Sequence, residues 1–473
     1  MSSSKSQFWQ RVAYACGTFG HDVFYAMIGS YFMIFVTSNL FHSDNPTHDQ
    51  YMIGIVTTII LVLRIGELFI DPFIGNTIDK TKTRWGKFKP WVIVGAFVAA
   101  ITLAILFTDM GGLAVSSPMT YLVAFSILYF IMDVFYSAKD VAIWSMIPAL
   151  SFDSHEREIT ATFARIGSVF GGQLVTVIVI PVVLFFSVNE NGGAGDPQGW
   201  LAFACIGGGI ATLGAIILGL GTKEQESGLR ENKTDTSFKD VFKVLLKNDQ
   251  LMWVGIAYLV FGLGQNIVNN FNLYYFIYIL GDSTKFSFLG IINVIIGLAA
   301  VALFPILTQK FSRRKLFFAS IAIMLAALVL YAMAGKSVVM TLLAAGLFAL
   351  PQPLVFLVVL MTITDTVEYG QLKLGHRDES LILCVRPLID KLGGAITSGL
   401  VGITAIFVGM TAGATADTIT EAGRLHFELI MFAAPIVLLI IATFIYRAKV
   451  TLTEQEHARI VRELEEKWDE ISK

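Results

Sequence analysis

The apolar residues of this chain come in runs long enough to cross a lipid bilayer, as at 91–107, 200–220 and 429–445. About 20 helical residues span the hydrocarbon core, and a helix satisfies all of its own backbone hydrogen bonds there. A transmembrane barrel would need short alternating segments, which are missing. Composition agrees: 55% of the 473 residues are hydrophobic and 15% are charged, with a mean hydropathy of +0.69. Soluble domains carry about 25% charged residues, so a soluble enzyme is excluded. An intramembrane enzyme is disfavoured too, because no nucleophile is paired with a base and His155-Glu156-Arg157-Glu158 lacks the second histidine of a zinc motif. A net charge of −2 provides no basic field for nucleic acid. The three cysteines are scattered through apolar stretches and suit packing. After Lys5 and Arg11 comes a long span interrupted by His21 and Asp22, without a small-residue cleavage site, so a retained first helix is expected.

Hydrophobic runs set against charged breaks predict an all-α polytopic membrane protein of about twelve spans in two six-helix halves. The expected divisions are an N-terminal half at 1–221, a polar central loop at 222–248, a C-terminal half at 249–450 and a charged tail at 451–473. Lysine and arginine concentrate at 79–89, at 309–315 and in the central loop. Those segments and both termini fall on one side, which the positive-inside rule makes cytoplasmic in a multi-pass cell-membrane protein. The two basic loops follow the second span of each half, the internal symmetry of a secondary transporter built from repeats. Gly75 and Asp79 precede the first basic loop, which carries Arg84. There the Asp79 carboxylate is expected to bond neighbouring helix termini and lock a cytoplasmic gate. In the tail, Ile460, Val461, Leu464, Trp468 and Ile471 share one helical face, expected to lie along the membrane surface; the tail is too short for a fused regulatory domain.

An ionised residue at the centre of a spanning helix costs about 2.5–3.5 kcal/mol on insertion scales, so it marks a pathway more often than a lipid face. Asp22, Arg64, Glu67, Asp71, Asp133, Lys139, Asp140, Arg165, Arg386, Asp390 and Lys391 are such residues, and most lie in the N-terminal half. Glu67 and Asp71 are four residues apart and so share a helix face. Two acids that close take a cation or a proton between them; the structural alternative is salt bridges to Arg64, Lys139 or Lys391. Asp140 and Trp144 share a face by the same spacing, with Tyr136 one turn earlier. An aromatic ring beside a carboxylate suits a sugar, the ring covering the C–H face while the acid accepts hydroxyl hydrogen bonds; packing is the plainer role of such a ring. Gln265, Asn266, Asn269, Asn270 and Asn272 in the seventh span suit a wet cavity or interhelical hydrogen bonding.

The stretch at 64–91, RIGELFIDPFIGNTIDKTKTRWGKFKPW, resembles the signature of the glycoside–pentoside–hexuronide:cation symporters, the group of melibiose permease, whose fold is of the major facilitator type. The resemblance extends to DVAIWSMIPAL at 140–150, HERE at 155–158 leading to Arg165, DTVEYG at 365–370, and Lys391. It implies that Glu67, Asp71 and Ser137 serve cation binding and that Asp22, Asp140, Trp144 and Arg165 bind sugar. Tyr136 and Phe356 then sit near the sugar, and Lys391 links the two sites. It further implies a glycoside and the lipid bilayer as partners, and no cofactor. The chain departs from the permease pattern at Glu67 (Asp there), Ile70 (Asn), Ser137 (Thr) and His21 (Lys), and its Arg386 and Asp390 have no charged counterparts. These departures lead to an expected symporter for a glycoside, leaning to a pentoside such as a xyloside, coupled to H+ because Ile70 removes an oxygen ligand that Na+ needs. The alternatives are a Na+-coupled galactoside or hexuronide symporter, with Na+ held at Glu67 and Asp71, a lysolipid carrier of similar core, and a sugar receptor that moves nothing.

Overall fold

A computed structural model describes residues 2–41, 45–150, 154–224, 246–374, 379–411 and 413–471. Among them, twelve helices are long and apolar enough to cross a membrane. In chain order they are Gln7–Asn39, Thr47–Asp71, Lys89–Leu106, Pro118–Ile147, Ile159–Phe186, Pro197–Gly221, Asp249–Ile279, Ser283–Phe304, Arg313–Ala332, Val338–Lys373, Val385–Val408 and Glu421–Lys449. Their starts are written in the sequence. Asn45 caps the second helix from His48 N with Pro46 behind it, and Ser312 and Ser337 cap the ninth and tenth. Asp196, followed by Pro197, caps the sixth by accepting from Gln198 N and Gly199 N at 3.0 Å each.

The helices cluster into two compact units. Unit 1 is Met1–Asp235 with Asn270–Val294 and Ser398–His426; unit 2 is Thr236–Asn269, Ile295–Thr397 and Phe427–Lys473. In unit 1, Gly167 and Gly171 of the fifth span let two backbones touch. A Cβ at either position would lie 2.2 Å from Ala15 O or 2.1 Å from Phe19 O of the first span. This small-residue packing fixes the first span just before His21 and Asp22. An apolar cluster of Tyr14, Ile78, Phe88, Val92, Ala142 and Met146 ties the first span to the second, third and fourth.

The first and seventh spans each contain a π-helical turn, Met27–Tyr31 and Tyr275–Ile279. Beside them unit 1 builds a hydroxyl-bonded seal. Thr37 Oγ1 pairs with Tyr274 Oη at 2.8 Å and Ser38 Oγ with Tyr278 Oη at 2.7 Å, and all four side chains are buried. At the opposite end of the spans, Glu224 accepts from the backbone N–H groups of Lys87, Phe88 and Lys89 at 2.7, 3.1 and 3.1 Å. A carboxylate there meets both the free amides and the positive dipole end of the third span.

In unit 2 the tail helix Glu454–Ile471 packs on the helix Gln352–Leu374. Its apolar face turns Ile460 into the protein rather than along a membrane surface. Polar pins explain the difference: Glu454 Oε1 accepts from Arg313 N at 2.6 Å, and His457 Nε2 lies 3.4 Å from Glu368 Oε2. The side chains of Trp468 and Ile471 lie outside the described residues.

Asp196 also accepts from Val188 N at 2.7 Å and Asn189 N at 3.1 Å, closing the loop between the fifth and sixth spans. Partial burial pushes its carboxyl up, but the N–H groups of Gly199, Asn189 and Val188 outweigh that and hold it below the ordinary carboxylate value. A carboxyl depressed in the folded state stabilises above its unfolded pKa, and the contribution disappears as pH falls through the folded value. Melting curves between about pH 6 and pH 3 should therefore fall less steeply for Asp196→Asn than for the wild type. Parallel curves would show that the cap contributes nothing to acid sensitivity.

Candidate functional site

The charges that a bilayer penalises converge inside unit 1, on the facing sides of the first, second and fourth spans. His21 Nε2 lies 3.0 Å from Asp140 Oδ1. The His21 ring stacks on Tyr136 at 5.3 Å between centroids and 7° between planes, and Tyr136 also stacks on Phe24 at 5.2 Å. Lys139 is wholly buried and its Nζ has no hydrogen-bond partner; it sits 5.3 Å from the Phe24 ring and 5.8 Å from the Tyr136 ring. The aromatic faces offer it quadrupolar attraction in place of an acceptor.

Asp22 Oδ2 is buried without a hydrogen-bond partner, and Arg165 is exposed on the fifth span. A buried acceptor without a donor is costly, and a ligand hydroxyl is a donor of the right kind. Trp144, one turn beyond Asp140, is 36% exposed, so its ring is open to a neighbour. Carboxylates, an open indole and a ring stack together suit a polyhydroxylated ligand with apolar C–H faces.

The second span supplies the other half of the cluster. Arg64 donates from Nε to Tyr129 Oη at 3.0 Å, from Nη1 to Ser398 Oγ at 3.1 Å and from Nη2 to Ile28 O at 3.1 Å. Ile28 belongs to the π-helical turn of the first span; such turns disturb the helical hydrogen-bond ladder and occur at functional sites. Arg64 thus spends its donors on neutral oxygens, and Lys139 Nζ bonds nothing. The salt bridges to Arg64 and Lys139 that were the plain alternative for Glu67 and Asp71 are therefore not made. Glu67 is buried at 8% exposure. Asp71 accepts a hydrogen bond from the buried Ser137 hydroxyl.

Phe356 and Lys391 fall in unit 2, both half-buried. Of the expected gate residues, Gly75 lies within the helix Pro46–Lys80 and Arg84 is exposed in the basic loop; the Asp79 side chain lies outside the described residues, as do those of His155–Glu158. The first amides of the third span are held by Glu224, beside Gly86 at φ +112°. Nothing in its local sequence marks Glu224 for this, since its partners are more than 130 positions away. Of the seventh-span amides, Asn269 pairs with Gln352 at 3.3 Å.

The chain matches the family described as MFS/sugar transport protein over residues 13–451. It is 54% identical to the raffinose carrier protein of Pediococcus pentosaceus, over 97% of this chain and 72% of that protein. It is 52% identical to a lactose permease of Lactobacillus delbrueckii subsp. bulgaricus, over 98% of this chain and 73% of that protein. A partially occluded inward-open structure of the xylose transporter XylE from E. coli superposes with a TM-score of 0.63 at 13% identity, covering 95% of this chain and 99% of that one, which establishes the fold.

Ser137 is the test of the acid pair. Losing a hydrogen bond to a charged group costs about 1.5–3 kcal/mol, so Ser137→Ala should shift the midpoint of the cation binding expected at the acid pair by about tenfold or more. Cation titration of the protein's tryptophan fluorescence reads that shift, and an unchanged midpoint would remove Ser137 from the site.

Proposed function

The chain belongs to the MFS/sugar transport protein family, and from that premise we propose that it imports a neutral galactoside together with a proton by alternating access. That it is a membrane transporter of the sugar-symporter type and not an enzyme follows from the family match and from relatives at more than half identity. The observation that carries the sugar reading is the Asp140–His21–Tyr136 cluster beside the open Trp144 ring. Asp140 and Asp22 accept sugar hydroxyls, and Trp144 covers the C–H face of one ring. Lactose and raffinose both contain a galactosyl unit, and likeness to carriers named for them favours a galactoside over the pentoside that the sequence departures suggested.

Proton coupling rests on the surroundings of Asp71. Ile70 packs against the apolar cluster and brings no oxygen to the acids, while Asp71 takes one hydroxyl from Ser137. Sodium needs several oxygen ligands at once, whereas a proton needs a single carboxylate. One inward positive charge gains about 2.3 kcal/mol per 100 mV of membrane potential, enough to concentrate sugar roughly fiftyfold per 100 mV. Both termini then face the cytoplasm in the cell membrane.

Two outcomes follow. Asp140→Ala should lose about 2–5 kcal/mol of lactose affinity in calorimetry while the protein elutes as the wild type does; near-normal affinity would remove Asp140 from the site. In vesicles, a proton gradient in sodium-free buffer should accumulate labelled lactose. Accumulation driven by sodium at uniform pH, with none from the proton gradient, would overturn the choice of ion.

A further inference from the structure

Among the described residues of unit 1, three buried carboxyl or amide oxygens have no hydrogen-bond partner: Asp22 Oδ2, Gln173 Oε1 and Asn293 Oδ1. Each stands near the midpoint of its span, in Gln7–Asn39, Ile159–Phe186 and Ser283–Phe304. The two amides have no role in the function proposed above. Helix contacts set them at one depth. Gly167 rests on Ala15 O and Gly171 on Phe19 O, and the same offset carried one turn further brings Gln173 level with His21 and Asp22. On the eighth span the close approach is Gly290, where a Cβ would lie 2.9 Å from Val177 N and 3.1 Å from Thr176 Cβ. Gln173 precedes that pair by one helical turn and Asn293 follows Gly290 by one turn. Since successive spans alternate in direction, both amides fall to the same side of the contact, on the facing sides of the two helices. Just beyond them Tyr31 Oη donates to Thr176 Oγ1 at 2.8 Å, and the Tyr31 ring meets Phe286 edge-on at 6.1 Å. The first, fifth and eighth spans are thus joined there.

We propose that Gln173 and Asn293 are specificity-determining residues of the transporter, each accepting a hydrogen bond from a hydroxyl of the transported sugar. The proposal rests on the galactoside reading above. Bonding between the two amides would occupy at least one of their oxygens, and neither is occupied, so they are not interhelical glue. Packing does not explain them either: a buried acceptor without a donor is costly, and methionine or leucine fills the same volume without that cost. Secondary transporters hold their substrate near the bilayer midplane, the depth at which these oxygens stand. A sugar hydroxyl supplies a donor there without bringing a charge. The fifth span presents a polar stripe to this depth, with the exposed Arg165 two turns before Gln173 on the same side of the helix. Buried acceptors also discriminate sharply, because an analogue that lacks the hydroxyl leaves the oxygen unpaired.

Calorimetry of the purified carrier with lactose and its monodeoxy derivatives, each lacking one hydroxyl, tests this. Gln173→Met and Asn293→Leu keep the side-chain shape and remove the acceptor. Each variant should bind lactose about three- to tenfold more weakly than the wild type. For the one derivative without the hydroxyl that the missing oxygen reads, variant and wild type should bind alike, which also reports that the variant is folded. Lactose affinity equal to that of the wild type, as water or packing at these oxygens would give, would overturn the assignment and leave the galactoside reading standing. So would an equal loss for lactose and every derivative, the result expected of a purely structural residue or of a cation site. A wild type that binds no lactose would overturn both.

Discussion

The cost of an ionised side chain in hydrocarbon governs what this chain does with its few charges. Several charges of unit 1 have specific partners. Arg64 has three neutral oxygens, one of them a backbone carbonyl in a π-helical turn. Lys139 has two aromatic faces, and Asp140 has His21. Arg64 and Lys139, the cations of unit 1 beside the acid pair, thus find their partners among oxygens and aromatic rings.

The same economy shapes the packing around the cluster. Glycines in the fifth span bring it against the carbonyls of the first, which sets the height of His21 and Asp22. Gly95 does likewise between the third and fourth spans, where a Cβ would fall 2.9 Å from that of Lys139. Tyrosine–hydroxyl pairs rather than charges close the seal at Thr37 and Ser38. Neutral hydrogen bonds of this kind contribute only about 0.5–1.5 kcal/mol each.

Much of this was legible in the sequence because bilayer thickness converts directly into run length. The twelve spans and the charge-bearing faces of the second and fourth helices follow from spacing alone. Asp140, Trp144 and Tyr136 share a face as helical periodicity requires, and the family signature named Glu67 and Asp71. What spacing could not supply was pairing between distant helices. His21 reaches Asp140 across more than a hundred positions, Arg64 bonds Ser398, and Glu224 holds the amides that open the third span. The tail helix likewise carried a clear amphipathic face, but only tertiary contacts decide that Ile460 packs on protein.

Coupling of sugar to a proton at the acids of unit 1, as proposed, is read by a pH electrode. Lactose added to a weakly buffered, de-energised suspension of cells expressing the carrier should produce a transient alkalinisation as protons enter with the sugar. Asp71→Asn should still bind lactose yet produce no such transient. A wild-type transient from that variant, or none from the wild type while labelled lactose enters, would contradict the account.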